Sequence, residues 1–509
     1  MNKLYFDYLN GKNDLREFYS WLPGDSIENF LNQYLNQREK VRGNEKEENK
    51  QHINIISGQQ PALLGGPFYT FYKLATLINI SNHYGKIVDH HLKPIFWVHS
   101  WDHDWEEACN IHFLTYDYQI YKMNYKIEEE QKGKSLYKID INAENIINEI
   151  ETLISKVKGS EYTKEIKEFL CTSVVKNKNI ADWSTDILKE FFNDEEIIWF
   201  EPHKITEHTK LQNVINTAIE NHEELHDCFQ RTNEKLKQLG YKLQVHKLPI
   251  DVFFFLEENG YRRKLIYDKK EFLSVASGHR YTIKELKEIL KYEPERFSPN
   301  LILRCLFQQL LFPCVMYIGG PAEIAYWAQL KDLFTYFNLS LPIIYPRKRS
   351  IIVPPKIKKW MDEFGIYSQL KENKSLKIKK DSYINLNVET EIEIVKNELI
   401  QSIHLYANKM KKTFHTDIEI FQNQEVQFLK KIEYEIERYK NELIKMYINK
   451  NKQMQNRINA IENTILPLEK EQERVFSPIS FISEYGKQFV INILKNINIS
   501  SFDIEVIEL

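Results

Sequence analysis

The chain has 509 residues, 42% of them hydrophobic, and a formal net charge of -3 at pH 7. That length gives more than one domain and a substantial core, while charges of both signs interspersed along it exclude the basic stripe of a nucleic-acid binder. Five cysteines without a Cys-x-x-Cys pair exclude a disulfide framework or zinc ribbon, and the lack of a long uncharged apolar run argues for a cytoplasmic protein with no membrane segment.

Residues 1–48 have the character of a helical arm, with Trp21-Leu22-Pro23-Gly24 as a turn and a charged linker over residues 42–50. Residues 52–57 read as a strand on the β-branched Ile53, Ile55 and Ile56. A glycine-rich loop over residues 58–67 follows. Tyr72, Ala75, Thr76, Asn79 and Ile80 then fall on a helical period within residues 68–84, and residues 94–99 form a strand running into Trp101-Asp102-His103-Asp104. This is a βαβ unit. Ligands bind beyond the carboxyl ends of the strands in an open parallel sheet, so the loop and the Asp-His-Asp cluster are expected to face one pocket.

Residues 114–296 read as a connective insertion. It holds helices over 143–158, 162–176 and 183–192, a strand over 196–200, and one long helix over 206–239 stopped by Gly240. Two strands over 243–255 and 262–267 follow, joined by the hairpin signal Glu257-Glu258-Asn259-Gly260. A strand over 313–318, Gly319-Gly320-Pro321, a helix over 322–337 and a strand over 341–345 ending in Pro346-Arg347-Lys348-Arg349 repeat the order of the first unit. The repeat predicts an α/β fold, a doubly wound parallel sheet whose halves are residues 1–113 and 297–365.

Residues 366–466 contain neither proline nor glycine, which permits long helices. Leu429, Ile432, Ile436, Tyr439, Leu443 and Met446 alternate three and four apart, and Met454, Ile458, Ile461 and Ile465 resume the spacing of a heptad seam. Thr416-Asp417-Ile418-Glu419 has the form of a capping box and sets a turn near His415. A long antiparallel coiled coil holding a homodimer is expected, with a bundle packed on the core as the alternative. Residues 467–509 lead back to the core.

The glycine-rich loop can offer backbone N–H groups to an anion, but it matches neither the Walker pattern nor Gly-x-Gly-x-x-Gly, and tight packing of a turn accounts for its glycines equally well. Gln59 and Gln60 suit the orientation of a polar substrate. His103 between Asp102 and Asp104 suits a general base, an amine anchor or a metal ligand, although its spacing from His99, Glu106 and His112 fits no named zinc pattern. Arg347, Lys348 and Arg349 suit a carboxylate or phosphate, or a solvated basic turn.

The run Ser57-Gly58-Gln59-Gln60 through Gly66-Pro67-Phe68-Tyr69-Thr70-Phe71-Tyr72-Lys73 resembles the signature of the bacillithiol biosynthesis cysteine-adding enzymes. Asp102-His103-Asp104, Arg304 with Gln308, Tyr317-Ile318-Gly319-Gly320-Pro321, Glu323-Ile324-Ala325-Tyr326-Trp327, Pro346-Arg347 and Gln472-Glu473-Arg474 resemble further blocks in that family's order. The resemblance covers nearly the full length. It implies a Rossmann-like core of the class I aminoacyl-tRNA synthetase kind, connective insertions, a coiled coil associated with dimerisation, and a ligase joining cysteine to glucosaminyl malate through an amide. His103, Asp102 and Asp104 are then the expected catalytic groups. Ser57, Gly58, Gln59, Gln60, Gly66, Tyr69, Lys73, Arg304, Gln308, Gly319, Gly320, Glu323, Tyr326, Trp327, Arg347, Gln472 and Arg474 are the expected substrate- or nucleotide-binding groups, with no metal. An amide made from a free carboxylate needs an activated acyl group, so ATP is the natural supposition, yet no Lys-Met-Ser-Lys-Ser-type signature is found. Trp101, Ala62 and Ala322 depart from the acid and glycines usual in that family. Two other classes stay open: a metal-dependent hydrolase of a small amide or sugar conjugate built on Asp102, His103 and His112, and a non-enzymatic coiled-coil scaffold.

Overall fold

The computed structural model describes residues 3–42, 53–88, 90–193, 195–368, 370, 386–414, 418–450, 452–495 and 497–509. The linker expected after residue 42 and the turn expected near His415 lie outside these residues. The chain divides into two compact units, one of residues 1–116, 121–349 and 473–505, the other of residues 117–120, 350–472 and 506–509.

The first unit contains, in chain order, β1 (Ile53–Gln59), β2 (Leu92–Val98), β3 (Ile198–Phe200), the hairpin β4 (Asp251–Glu258) and β5 (Tyr261–Asp268), then β6 (Cys314–Gly319) and β7 (Ile343–Pro346). Five of these form a parallel sheet in the order β7-β6-β1-β2-β3. Ile53, Ile55, Ile56, Phe96, Trp97, Met316 and Ile318 are buried, the near-continuous apolar runs of strands covered on both faces. From β1 the chain crosses through helix Phe68–Ile87 to β2, and from β6 it crosses through Pro321–Trp327 and Lys331–Tyr336 to β7 on the opposite side. The crossovers diverge, so the topological switch point lies between the adjacent strands β1 and β6. That is where an open α/β sheet takes its ligands.

Residues 114–296 are more than an insertion, because β3 supplies an edge of the parallel sheet, with Ile198 opposite Ile95. The same segment builds most of a second, antiparallel sheet, ordered Phe297–Pro299, β4, β5, Glu271–Ser274, Arg280–Tyr281. Its hairpin turns at Asn259 (φ 53) and Gly260 (φ 84), both left-handed as the right-handed twist of the flanking strands demands. The helix expected over 206–239 is two, Thr209–Glu220 and His222–Gln238, broken at Asn221 (φ -115, ψ 36). The Asn221 amide donates to Tyr336 Oη (2.8 Å), a tertiary contact that local helix propensity cannot report. The helix expected over 322–337 is likewise interrupted, by a 3-10 turn at Ala328–Leu330.

In the second unit, helices Leu386–Phe414 and Ile418–Lys450 are joined by ion pairs Lys440–Glu393 (3.5 Å) and Lys396–Glu437 (3.7 Å). Leu399, Leu405, Tyr439, Leu443 and Met446 are exposed, whereas Ile458, Ile461 and Ile465 of helix Lys452–Ile465 are buried. Among the described residues no helix is long and apolar enough to cross a membrane.

Candidate active site

At the switch point the two crossover helices are tied by charge. A Cβ on Gly58 would fall 2.5 Å from the Trp97 carbonyl oxygen of β2, so only glycine lets the strands close there. Lys73, on the helix after β1, donates to the Gly58 carbonyl (2.7 Å) and to Gln59 Oε1 (2.9 Å), and lies 2.6 Å from Glu323 on the helix after β6. Glu323 also accepts from Tyr317 Oη (2.6 Å) and the Gly320 N–H (2.7 Å). Burial pushes the Lys73 ammonium down against the pull of Glu323. Burial also opposes ionisation of Glu323, but Lys73, Tyr317 and the Gly320 N–H outweigh it and hold the carboxyl below its ordinary range. Beside this pair Arg347 grips Glu473 with both arms of its guanidinium, at 2.9 and 2.7 Å.

Ser57, Gly58, Gln59, Tyr69, Lys73, Gly319, Gly320, Glu323 and Arg347 therefore come together. Ser57 donates to the Ile318 carbonyl (2.9 Å), the Gly319 carbonyl accepts from the Arg347 N–H (2.9 Å), and Tyr69 lies with its ring 5.8 Å from the Arg347 guanidinium. Arg474 is exposed, and its charge acts on Tyr69 and Glu107. Gln60 turns to the Asp104 carbonyl (2.8 Å), Gly66 takes φ 87 at the turn into the helix, and Trp327 packs on Tyr317 in the core. Gln472 belongs to the second unit, where its amide bonds the Ile352 N–H and carbonyl and the Thr464 carbonyl. Arg347, Lys348 and Arg349 are buried, so this is no solvated basic turn.

A cavity of about 300 Å³ opens at the end of β2. Trp97, His99, Trp101, Asp102 and His103 form one wall, Phe255 of β4 and Arg262 of β5 another, and Asn300 and Arg304 a third. Asp102 accepts the His103 N–H (2.7 Å), while Asp104 caps helix Trp105–Ala108 through the Glu107 N–H (3.2 Å). Two neighbouring carboxylates favour the charged imidazole. Instead burial, then Arg262, outweigh Asp102 and Asp104, and the imidazole pKa is lowered. Arg262 Nη1 lies 3.0 Å from His103 Nδ1, a partner 159 residues away that sequence reasoning missed. The one available signal was the Asn259-Gly260 turn, which sets Arg262 opposite Glu257. Arg304 donates to Gln308 Oε1 (2.8 Å) and Tyr326 Oη (2.9 Å). His99 Nε2, Arg304 Nε and Gln308 Nε2 are buried without a hydrogen-bond partner. Such atoms are rare in folded proteins, and two of these three belong to cavity-lining residues, as expected of a site for a polar ligand.

Among the described residues the group of His, Asp and Glu side chains close enough to hold a metal is Asp182, Glu201 and His203, not Asp102, His103 and His112. Its cation position already holds the Lys204 ammonium, 2.7 Å from Asp182 and 2.8 Å from Glu201. His203 Nδ1 lies 2.8 Å from Ser100 Oγ, and burial pushes the imidazole down to about 4. In the unfolded chain the same group has a pKa of ~6.5, so the unfolded state takes up the proton first as pH falls. This contribution to stability is complete above pH ~6.5 and falls by about 3 kcal/mol towards pH 4. Urea midpoints of the wild type are expected to drop more steeply over that window than those of His203→Gln; equal slopes would remove His203 from the linkage.

The parallel sheet with its switch point and crossover helices defines a Rossmann-like α/β protein with a helical C-terminal unit. Residues 25–348 match the family model for the N-terminal Rossmann-like domain of bacillithiol biosynthesis BshC, and residues 350–509 match that for its C-terminal coiled-coil domain. The chain belongs to the bacillithiol biosynthesis BshC family. Relatives named "Putative cysteine ligase BshC" include one from Natranaerobius thermophilus, 28% identical over 72% of this chain and 72% of its own. Another, from Staphylococcus aureus, is 26% identical over 91% and 86%, and one from Bacillus cereus is 25% identical over 96% and 95%. A solved structure from Campylobacter jejuni titled as an arginyl-tRNA synthetase aligns at 11% identity with a TM-score of 0.24, too low to carry an argument.

Proposed function

We propose that the protein is a cysteine ligase of bacillithiol biosynthesis, joining the cysteine carboxyl to the amine of glucosaminyl malate through an amide in the cytoplasm. The observation that carries the reading is the cavity at the end of β2, where the cations Arg262, Lys247 and Arg304 and the unpartnered His99 Nε2 and Arg304 Nε line one space. Cationic side chains there suit the carboxylates of both small-molecule substrates. Trp97, Trp101 and Phe255 supply the apolar walls that exclude water. The cations nearest the switch point do not fit a nucleotide triphosphate: Lys73 is committed to Glu323 and Arg347 to Glu473. Purified protein should convert cysteine and glucosaminyl malate, supplied with and without ATP, to the amide detected by mass spectrometry, and cells lacking the gene should accumulate glucosaminyl malate and lose bacillithiol. Undiminished bacillithiol would refute the assignment.

The same reading takes Leu386–Phe414 and Ile418–Lys450 as an antiparallel coiled coil, since residue 393 pairs with 440 and 396 with 437. The exposed Leu399, Leu405, Tyr439 and Leu443 then form the seam of a homodimer. Each Leu buried in such a seam contributes about 1.5 to 3 kcal/mol. Tyr439→Glu with Leu443→Glu is expected to give monomers in sedimentation velocity, and an unchanged dimer would place the contact elsewhere.

A further inference from the structure

We propose that Arg262 holds His103 as the neutral tautomer protonated at Nε2, so that the ring offers the cavity a hydrogen-bond donor and not a proton-accepting base. The proposal rests on the reading above only in taking the cavity as the substrate site. Arg262 is itself pinned. Its Nε donates to Ser298 Oγ (2.8 Å), its Nη2 to the Pro299 carbonyl (3.0 Å), and its guanidinium lies 3.9 Å from the Phe255 ring centre. The remaining arm, Nη1, is directed at His103 Nδ1 at 3.0 Å. A guanidinium has donors only, so Nδ1 must meet it with a lone pair. A proton on Nδ1 would set N–H against N–H beside a cation. A neutral ring with its lone pair on Nδ1 carries its proton on Nε2.

The charges facing the ring are Arg262, Asp102, whose Oδ1 lies 3.7 Å from Nδ1, and Asp104, while His99, Lys247 and Arg304 share the cavity. Burial lowers Arg262 to about 10, which leaves it cationic at neutral pH. Burial and Arg262 together outweigh the two carboxylates and favour the neutral ring. What Nε2–H recognises is therefore an acceptor, a carbonyl, carboxylate or phosphate oxygen of a bound substrate. The Asp-His-Asp run by itself suggested the opposite polarity.

The test needs no substrate, so its failure is distinct from failure of the ligase assignment. In the full chain labelled with ¹⁵N-histidine, the His103 resonances are identified by their loss in His103→Gln. The expected wild-type spectrum has a protonated Nε2 and an unprotonated, hydrogen-bonded Nδ1, unchanged from pH 6 to 9. In Arg262→Met the His103 pKa should rise by about one unit or more, with both tautomers populated. A proton on Nδ1 in the wild type, or the same titration in Arg262→Met as in the wild type, would overturn the proposal. If Arg262→Met does not fold, the wild-type spectrum decides alone.

Discussion

Lys73→Met is expected to destabilise the protein by about 3 to 5 kcal/mol, the cost of leaving a buried carboxylate without its cation. The Lys73 side chain is 4% exposed and that of Glu323 16%, so water cannot take the place of the lost ammonium. The Gly58 carbonyl and Gln59 Oε1 lose their donor in the same step. The urea midpoint at pH 7 reads the loss. Adding Glu323→Gln should recover part of it, because the charge is gone while the single amide oxygen can still accept from the Gly320 N–H and the amide NH2 can donate to the Tyr317 hydroxyl oxygen. A loss below about 1 kcal/mol for Lys73→Met alone would mean that the pair is solvated, as surface pairs are.

His103→Asn is expected to lower kcat by about 10² to 10³, the usual cost of removing one donor aimed at a reacting oxygen. Asparagine keeps an acceptor near the position of Nδ1, so Arg262 retains a partner, but it is too short to replace Nε2–H. The ring is 37% exposed, and the melting temperature should hardly move. A donor and a base differ in their pH dependence. If the ring donates from Nε2, the wild-type rate should show no limb from His103 even where the ring titrates, since Nε2 carries its proton in both states, whereas a general base would lose rate as pH falls through the lowered pKa. Full activity in His103→Asn would place the residue outside the chemistry.

Local physical chemistry is what made much of the fold legible. The β-branched Ile53, Ile55 and Ile56 favour extended backbone, Asn259-Gly260 favours the hairpin, and the two glycine-rich turns after β1 and β6 mark one repeated βαβ order. These signals act over a few residues, so the chain carries them without its fold. The break at Asn221 and the place of β3 at the edge of the parallel sheet were not legible, because each depends on a partner brought from elsewhere, Tyr336 in one case and β2 in the other.

By itself the sequence determined which residue types stand at the strand ends, the glycines, Asp102, His103 and Arg347, and on the helices that follow, Lys73 and Glu323. Only the tertiary structure decided their partners. Glu473 reaches Arg347 across 126 residues and Arg262 reaches His103 across 159. Those partners commit Lys73 and Arg347 internally and set the polarity of His103. The reason is electrostatic. A charge in a buried site takes its protonation state from whatever lies within a few ångströms, and distance along the chain says nothing of that.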